Sequence, residues 1–300
     1  MKPLLFALDA GETLAAGLTR ELDLDRGEIE RRHFPDGESY VRLLTEVDGR
    51  DVLFLCSLED PDTKTLPLLF AADAARKQGA RSVGLAAPYL AYLRQDISFQ
   101  PGETVTSAAY AALLSKAFDW LVTLDPHLHR YPDLGSIYSI PTSFATAAQP
   151  IADWLCCNIE RPFLIGPDEE SSQWVERIAN LARAQWTVLR KVRSGDFSVR
   201  IDGSVLAGLE GHTPVIVDDI ASSARTMIEA VRLVRDGDHP PPVCIAVHAI
   251  FAGDAWHRLG EAGPAKIVST NTIVHETNAI DVTRSLAASI REMLARQSTE

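Results

Sequence analysis

Cysteine is scarce in this chain, whose 300 residues include only Cys56, Cys156, Cys157 and Cys244. No two of them have the Cys-x-x-Cys spacing of a redox motif or the ligand spacing of a zinc finger. We therefore expect neither a disulfide scaffold nor a zinc-finger domain. The cysteine content fits a reduced cytoplasm.

Basic residues are also in short supply, with 29 Lys and Arg against 41 Asp and Glu and a net charge of -12. A surface of this sign repels a polyphosphate backbone, so we expect no nucleic-acid partner. A small phosphorylated ligand is still compatible with it, because a local group of amides or cations can hold a phosphate.

Long apolar runs are missing as well. No segment approaches 18 uninterrupted apolar residues, and the N-terminal run Leu4–Leu8 is too short for a signal sequence. We expect no membrane partner and a cytoplasmic protein. The hydrophobic content of 46% and charged content of 23% are typical of an ordinary globular protein with a full core.

Short β-rich runs alternate with longer helical ones, which predicts an α/β protein built on mostly parallel sheets flanked by helices. The predicted strands are Pro3–Asp9, Asp51–Ser57, Ser82–Ala87, Trp120–Asp125, Phe163–Gly166, Thr187–Arg193, Pro214–Asp218, Val243–Ala249 and Lys266–Ser269. The predicted helices are Thr13–Glu21, Lys64–Gln78, Thr106–Ala117, Ser172–Ala184, Thr226–Asp236, Ala255–Ala262 and Val282–Arg296.

Two halves of similar length and element order suggest a duplicated domain. The segment Pro141–Pro150 mixes Thr, Ser and Ala between two prolines, and a new βα series follows it. We place the boundary there, with domains 1–147 and 148–300. In the first half, the hydrophilic segment His33–Arg42 predicts a surface hairpin or loop, because it carries Pro35 and Gly37 among charged residues.

The strongest local signal runs from Val215 to Thr226. A buried strand ends in Asp218 and Asp219, and a turn rich in small residues and hydroxyls leads into a helix. Ligands bind at that end of a strand in open α/β sheets, where helix amides can hold a phosphate and aspartates can hold sugar hydroxyls or a metal. The alternative is a strand, an acidic turn and ordinary helix capping.

This segment resembles the phosphoribosyl-binding motif of type I phosphoribosyltransferase folds. Further motifs resemble the ribose-phosphate pyrophosphokinase family in order and spacing: Phe34-Pro-Asp-Gly-Glu-Ser-Tyr-Val-Arg42, Pro88-Tyr-Leu-Ala-Tyr-Leu-Arg-Gln-Asp96, Pro101-Gly-Glu103 and Asp125-Pro-His-Leu-His129. The resemblance covers nearly the whole chain. It implies two tandem phosphoribosyltransferase-like domains, with the ATP side in the first and the ribose 5-phosphate side in the second.

The resemblance also implies the reaction, which is transfer of the diphosphoryl group of ATP to the C1 hydroxyl of ribose 5-phosphate with Mg²⁺, giving phosphoribosyl pyrophosphate and AMP. It implies self-association as a dimer or larger assembly, because the family's hairpin reaches into a neighbouring subunit's nucleotide pocket.

Site residues carry over from the family motifs position by position. The ATP-binding set is Phe34, Asp36, Glu38, Arg94, Gln95, Asp96 and His127. The ribose 5-phosphate set is Asp218, Asp219, Ser222, Ser223, Ala224, Arg225 and Thr226. The metal positions are His127 and Asp168, and the catalytic pair is Lys191 and Arg193, which would act on the transferring phosphates.

Two departures affect the sugar-phosphate side. Arg225 stands where the family has glycine, and we expect its bulk to hinder closure of the turn on phosphate, although its guanidinium could instead bind the phosphate. Glu169 and Glu170 add two carboxylates after Asp168. These changes keep open a non-catalytic regulatory paralogue, a diphosphokinase for another phosphorylated sugar, and a phosphoribosyltransferase.

Overall fold

A computed structural model of the chain describes residues 1–98, 100–189, 208–237 and 239–297, and the backbone alone of residues 191–193 and 199–201. The described chain divides into two compact units. Unit 1 is Met1–Thr146 together with the C-terminal segment that begins at Val282, and unit 2 is Ala147–Asp281.

Unit 1 is a six-stranded parallel sheet with helices on it and one antiparallel hairpin. Its elements before residue 147 are β1 (Leu4–Ala7), α1 (Glu12–Glu21), β2 (Asp25–Arg26), β3 (Ile29–His33), β4 (Ser39–Leu43), β5 (Asp51–Leu55), α2 (Pro61–Lys77), β6 (Ser82–Ala87), α3 (Thr106–Ala117), β7 (Trp120–Leu124) and β8 (Thr142–Ala145). The strand order is β2-β1-β5-β6-β7-β8, and β3 pairs only with β4 among the described strands.

Unit 2 repeats this plan. Its elements are α4 (Ala148–Asn158), β9 (Pro162–Gly166), α5 (Ser172–Ala182), β10 (Gln185–Val188), β11 (Lys191–Arg193), β12 (Val199–Ile201), β13 (Thr213–Ala221), α6 (Arg225–Asp236), β14 (Val243–Ala249), α7 (Ala255–Glu261), β15 (Lys266–Thr270) and β16 (Asn278–Ile280). The parallel sheet has the order β10-β9-β13-β14-β15-β16, and β11 and β12 form an antiparallel hairpin.

The two sheets therefore have the same strand order, and along the chain the hairpin of each unit follows the second strand of its sheet. In both, the chain moves outward from a central strand in one direction and then returns to continue on the other side, so the order reverses between β1 and β5 and between β9 and β13. Such a reversal is where open α/β sheets bind ligands.

Burial on both faces of the sheet explains why the sequences of the central strands are nearly continuous apolar runs. Every residue of β5, β6 and β7 is buried, as is every residue of β14. Helices cover both faces of a parallel sheet, so its strands have no solvent face that would need alternating polar residues. The predicted α/β class is confirmed.

Two predicted segments differ from the structure. Thr187–Arg193 is not one strand, because β10 ends at Val188 and β11 begins at Lys191 with a different partner strand. Pro141–Pro150 is not a plain linker, because it contains β8, the edge strand beside β7, and the start of α4. The edge position leaves most of β8 partly exposed and accounts for its weak apolar signal.

The last helix, α8 (Thr283–Gln297), packs on α1, β7 and β8 and so belongs to unit 1. The expected domains 1–147 and 148–300 are consecutive segments of chain and stay a prediction. The compact units differ from them in placing α8 with the first unit. No helix in the described part of the chain is both long and apolar enough to cross a bilayer.

Candidate active site

The hairpin of unit 1 presents Phe34, Asp36 and Glu38 at its tip, and all three are exposed. The Glu38 amide donates to Asp36 Oδ1 at 3.2 Å and the Gly37 amide donates to the Phe34 carbonyl at 2.9 Å. Gly37 has a φ of 92°, a backbone conformation that would be strained for a residue with a side chain. One Asp36 oxygen is therefore used to hold the turn in shape.

The ring of Phe34 already has a cationic neighbour. The Arg32 guanidinium carbon lies 4.6 Å from the Phe34 ring centroid and 4.2 Å from the Tyr40 centroid, within the range of a cation–π contact. A base that stacks on Phe34 would use the opposite ring face or replace Arg32. The sequence motif gives no signal for Arg32, whose position depends on the pairing of β3 with β4.

The loop after β6 holds its three predicted nucleotide residues in different surroundings. Arg94 is exposed. Gln95 is partly buried, and its side-chain oxygen accepts a hydrogen bond from Thr106 Oγ1 at 3.2 Å. The Asp96 side chain is only 2% exposed, and its Oδ1 accepts from Arg130 Nη1 at 2.7 Å. Asp96 therefore has a protein partner that the sequence motif does not reveal.

The loop after β7 supplies that partner. His127 is partly buried, and its ring lies nearly parallel to the His129 ring with 6.4 Å between centroids. Three residues beyond His127, Arg130 pairs with Asp96, and the Tyr131 hydroxyl donates to the Asp96 carbonyl at 3.2 Å. The structure thus brings the Arg94–Asp96 and His127–Tyr131 segments together at the carboxyl ends of adjacent strands.

In unit 2, Asp168 follows β9 and caps a short 3₁₀ turn at Glu169–Ser171. Its Oδ1 accepts from the Ser171 amide at 3.2 Å, and the Ser171 hydroxyl donates to the Asp168 carbonyl at 2.6 Å. Glu169 and Glu170 are exposed, so these two additional carboxylates are not buried beside Asp168. Their charge near the start of a helical segment is also favourable.

Asp218 and Asp219 lie near the carboxyl end of β13, next to β9. Burial raises the pKa of the Asp218 carboxyl well above its usual range, and the negative charges of Asp219 and Asp168 raise it further. The charges of Asp219 and Asp168 therefore act on Asp218 at the point where the strand order of unit 2 reverses. The structure brings together these three residues, which lie in two separate sequence motifs.

The turn after β13 differs from the expectation at one residue. Ala224, not Arg225, has the positive φ, at 53°, and Arg225 is the exposed first residue of α6. Backbone strain at Arg225 is therefore no reason for the turn to stay open. Ser222 is partly buried and Ser223 exposed, and Thr226 is partly buried in the first turn of α6.

A second loop braces this turn. The amides of Phe251 and Ala252 donate to the carbonyls of Ala221 and Ser222 at 2.8 and 3.0 Å. Phe251 packs against Trp256 and His275, with ring centroids 5.5 and 4.9 Å away. The first amides of a helix have no partner within the helix, so the start of α6 offers N–H donors beside these hydroxyls.

The catalytic pair predicted from the resemblance lies on the hairpin of unit 2. The backbone of Lys191 and Arg193 forms β11 and pairs with Ile201 and Val199 of β12. Their side chains lie outside the described part of the structure. Along the chain this hairpin follows the second strand of its sheet, as the Phe34 hairpin does in unit 1.

No group of three or more His, Cys, Asp or Glu side chains within the described residues could by itself hold a metal ion. The carboxylate oxygens of Asp168, Asp218 and Asp219 are nevertheless the donors that Mg²⁺ prefers. Mg²⁺ commonly takes only one or two carboxylates and completes its shell with water and substrate phosphates. The donor set therefore fits a metal bound together with its substrate.

Comparison with known proteins matches residues 3–117 to the N-terminal domain of ribose phosphate pyrophosphokinase and residues 134–282 to the phosphoribosyl transferase domain. Ribose-phosphate pyrophosphokinase from Methanopyrus kandleri is 31% identical over 292 residues, covering 97% of this chain and 99% of that protein. Its counterpart from Saccharolobus solfataricus is 32% identical, covering 91% and 95%.

The crystal structure of phosphoribosylpyrophosphate synthetase from Mycobacterium smegmatis superposes with a TM-score of 0.83 at 25% identity, covering 98% of this chain and all of that one. Fold and site together define a protein of two phosphoribosyltransferase-type domains. With relatives this similar over the whole length, the chain belongs to the ribose-phosphate pyrophosphokinase family.

Proposed function

We propose that this protein transfers the diphosphoryl group of ATP to the C1 hydroxyl of ribose 5-phosphate, producing phosphoribosyl pyrophosphate and AMP. The observation that carries the proposal is the full-length similarity to ribose-phosphate pyrophosphokinases, which spans both units. The coupled carboxylates beside a hydroxyl-rich turn support it independently, because they suit a phosphorylated sugar.

In this reaction the sugar C1 oxygen forms a bond to the β-phosphorus of ATP. The bond from that phosphorus to the oxygen it shares with the α-phosphorus breaks, AMP leaves, and the hydroxyl proton is lost. Such a transfer needs groups that position the reactants and neutralise negative charge more than it needs covalent chemistry. By family match, Lys191 and Arg193 would supply positive charge to the transferring phosphates.

ATP would bind in unit 1 through Arg94, Gln95 and His127, with Phe34, Asp36 and Glu38 contributed by a neighbouring subunit's hairpin. The exposure of the hairpin tip supports this arrangement, since an exposed aromatic ring at 39% is available for a partner. Asp96 would act indirectly, because its carboxylate is buried against Arg130. Self-association as a dimer or larger assembly follows from the shared pocket.

Ribose 5-phosphate would bind in unit 2. Its phosphate would meet Ser222, Ser223, Ala224, Arg225 and Thr226 at the start of α6, and its hydroxyls would meet Asp218 and Asp219. Mg²⁺ would be held by Asp168 and the substrate phosphates, with His127 as the other family-derived position. When bound, Mg²⁺ neutralises the charge that develops on the phosphate oxygens.

One observation favours a second candidate, a diphosphokinase for a different phosphorylated sugar. The turn carries Arg225 on the surface in place of the family's glycine, which changes the charge and the space next to the sugar phosphate. Because Arg225 is helical rather than strained, the turn can still present its hydroxyls.

The test measures AMP release from ATP and Mg²⁺ with a panel of pentose phosphates, against a reaction without sugar as the control. AMP with ribose 5-phosphate supports the main proposal, and AMP only with another pentose phosphate supports the second. No AMP with any acceptor would contradict both and favour a non-catalytic paralogue.

A further inference from the structure

The strand order reverses in unit 1 as well as in unit 2, and the reversal point of unit 1 contains a cavity of about 290 Å³. Asp9 lines it and lies two residues beyond the end of β1, just as Asp168 lies two residues beyond the end of β9. Thr63 and Lys64, near the start of α2, also line it. In unit 2 the corresponding helix is α6, which begins with Arg225 and Thr226, because α2 follows β5 as α6 follows β13.

The chemistry of the unit 1 cavity is opposite to that of unit 2. Three cations, Arg31, Arg32 and Lys64, line it with the carboxylate of Asp9, and the carboxylates of Glu30 and Glu59 pair with Arg32 and Lys64 from outside the lining. The hydrogen bonds from Arg31, and then its positive charge, hold the pKa of Asp9 below its usual range. The N–H groups of these cations suit an anion, because charge-assisted donors can hold a phosphate without a metal.

The cations are held in place yet keep donors for a ligand. Arg31 donates from Nη1 and Nη2 to the two Asp9 oxygens at 2.5 and 2.9 Å, which uses two of its five N–H groups. Lys64 Nζ contacts the Ser57 carbonyl at 2.9 Å and Glu59 Oε1 at 2.6 Å, which uses two of its three. Ion pairs that fix the side chains also reduce the ordering cost of binding.

Hydroxyl groups and Arg32 complete the lining. Ser39 and Thr63 add hydroxyls that can donate to phosphate oxygens. Arg32 stacks on the Phe34 and Tyr40 rings and lies 3.9 Å from Glu30 Oε1, with its side chain 48% exposed. The volume is enough for a phosphate group with a small organic substituent.

We propose that this cavity is a second ligand site, which binds a phosphate group as free phosphate or as a small phosphate monoester. The site lies within unit 1 and does not depend on the proposed function of the protein. It uses the same crevice of the repeated strand order that carries the acidic cluster in unit 2, with cations in place of carboxylates.

The test titrates the full chain with inorganic phosphate and with glycerol 3-phosphate by calorimetry, without Mg²⁺. The variants are Lys64→Gln and Arg32→Gln, and the matched control is Lys77→Gln. Lys77 lies on the same helix, is 75% exposed, and pairs with Asp73 outside the cavity. Arg32→Gln leaves the Arg31–Asp9 and Lys64–Glu59 pairs intact, so it tests the site even if Lys64→Gln does not fold.

We expect each cavity variant to weaken phosphate affinity by at least about fivefold, while the control stays within about twofold of the unaltered protein. Tighter binding of the monoester would identify an organic phosphate as the ligand, and equal binding would identify free phosphate. No binding at millimolar ligand, binding that both cavity variants leave unchanged, or an equal loss in all three variants would overturn the proposal.

Discussion

The ion pair between Arg130 and Asp96 gives a prediction that sequence motifs alone do not make. The Asp96 carboxylate is 2% exposed, and its Oδ2 has no hydrogen-bond partner within the described residues. Arg130→Gln would therefore leave a buried charge without its cation. Removing one member of a fully buried pair costs about 3–5 kcal/mol. Because the Arg130 side chain is 42% exposed, water can replace part of the loss, and we expect about 1–3 kcal/mol.

The same change should weaken ATP binding. Arg130 lies three residues beyond His127, and Asp96 lies two residues beyond Arg94, so the pair fixes two predicted nucleotide-binding loops relative to each other. A misplacement worth about 1.4 kcal/mol lowers affinity tenfold. Calorimetric titration with ATP and Mg²⁺ should show at least about this loss, and the KM for ATP should rise far more than the KM for ribose 5-phosphate.

The matched control is Arg81→Gln. Arg81 pairs with Asp51, whose side chain is 4% exposed, while that of Arg81 is 52% exposed, which closely resembles the other pair. Asp51 begins β5 and Arg81 directly precedes β6, so this pair lies at the opposite edge of the same sheet. We expect a similar loss of melting temperature with unchanged ATP affinity. Equal ATP affinity in both variants would refute a positioning role for Arg130.

Three further predictions concern unit 2. Lys191→Ala should lower kcat by about 10²-fold or more with little change in nucleotide affinity, and an unchanged kcat in steady-state assays would remove Lys191 from the chemistry. Asp218→Asn should raise the melting temperature at pH 7 without Mg²⁺, because a carboxyl whose pKa is raised by folding destabilises the fold increasingly as pH rises above its unfolded-state pKa of about 3.9. The gain should therefore vanish below about pH 3.9, and a gain that stays constant with pH would contradict this cause. Arg225→Gly should weaken ribose 5-phosphate binding several-fold, because the positive φ lies at Ala224 and glycine relieves nothing, so tighter binding by calorimetry would show that Arg225 obstructs the turn.

The parallel sheets were predictable because their strands carry their signal locally. β5, β6, β7 and β14 are buried runs that are apolar almost throughout, and their length of 5 to 7 residues favours a buried strand over a helix. The hairpin at His33–Arg42 was equally visible, because Pro35 and Gly37 mark a turn between polar strands. The pairing of β3 with β4 confirms it.

Features that depend on distant residues were not predictable. β8 is a strand because β7 provides an edge, and its own sequence of Thr, Ser, Phe and Ala gives a weak signal. The sequence around Asp96 is typical of a solvated loop, because its ion-pair partner Arg130 lies 34 residues later in the chain. The assignment of the positive φ to Ala224 required backbone geometry, because glycine is absent from the turn and no residue there favours that conformation.

The proposed reaction requires that both terminal phosphorus atoms of ATP leave together. Phosphorus NMR of a reaction containing ATP, Mg²⁺ and ribose 5-phosphate tests it most directly, because it resolves AMP from ADP and a C1 diphosphate ester from a monophosphate. We expect AMP and the C1 diphosphate ester to appear in equal amounts. Accumulation of ADP with a sugar that carries a single phosphate at C1, or ATP that stays intact, would contradict the proposed transfer of a diphosphoryl group.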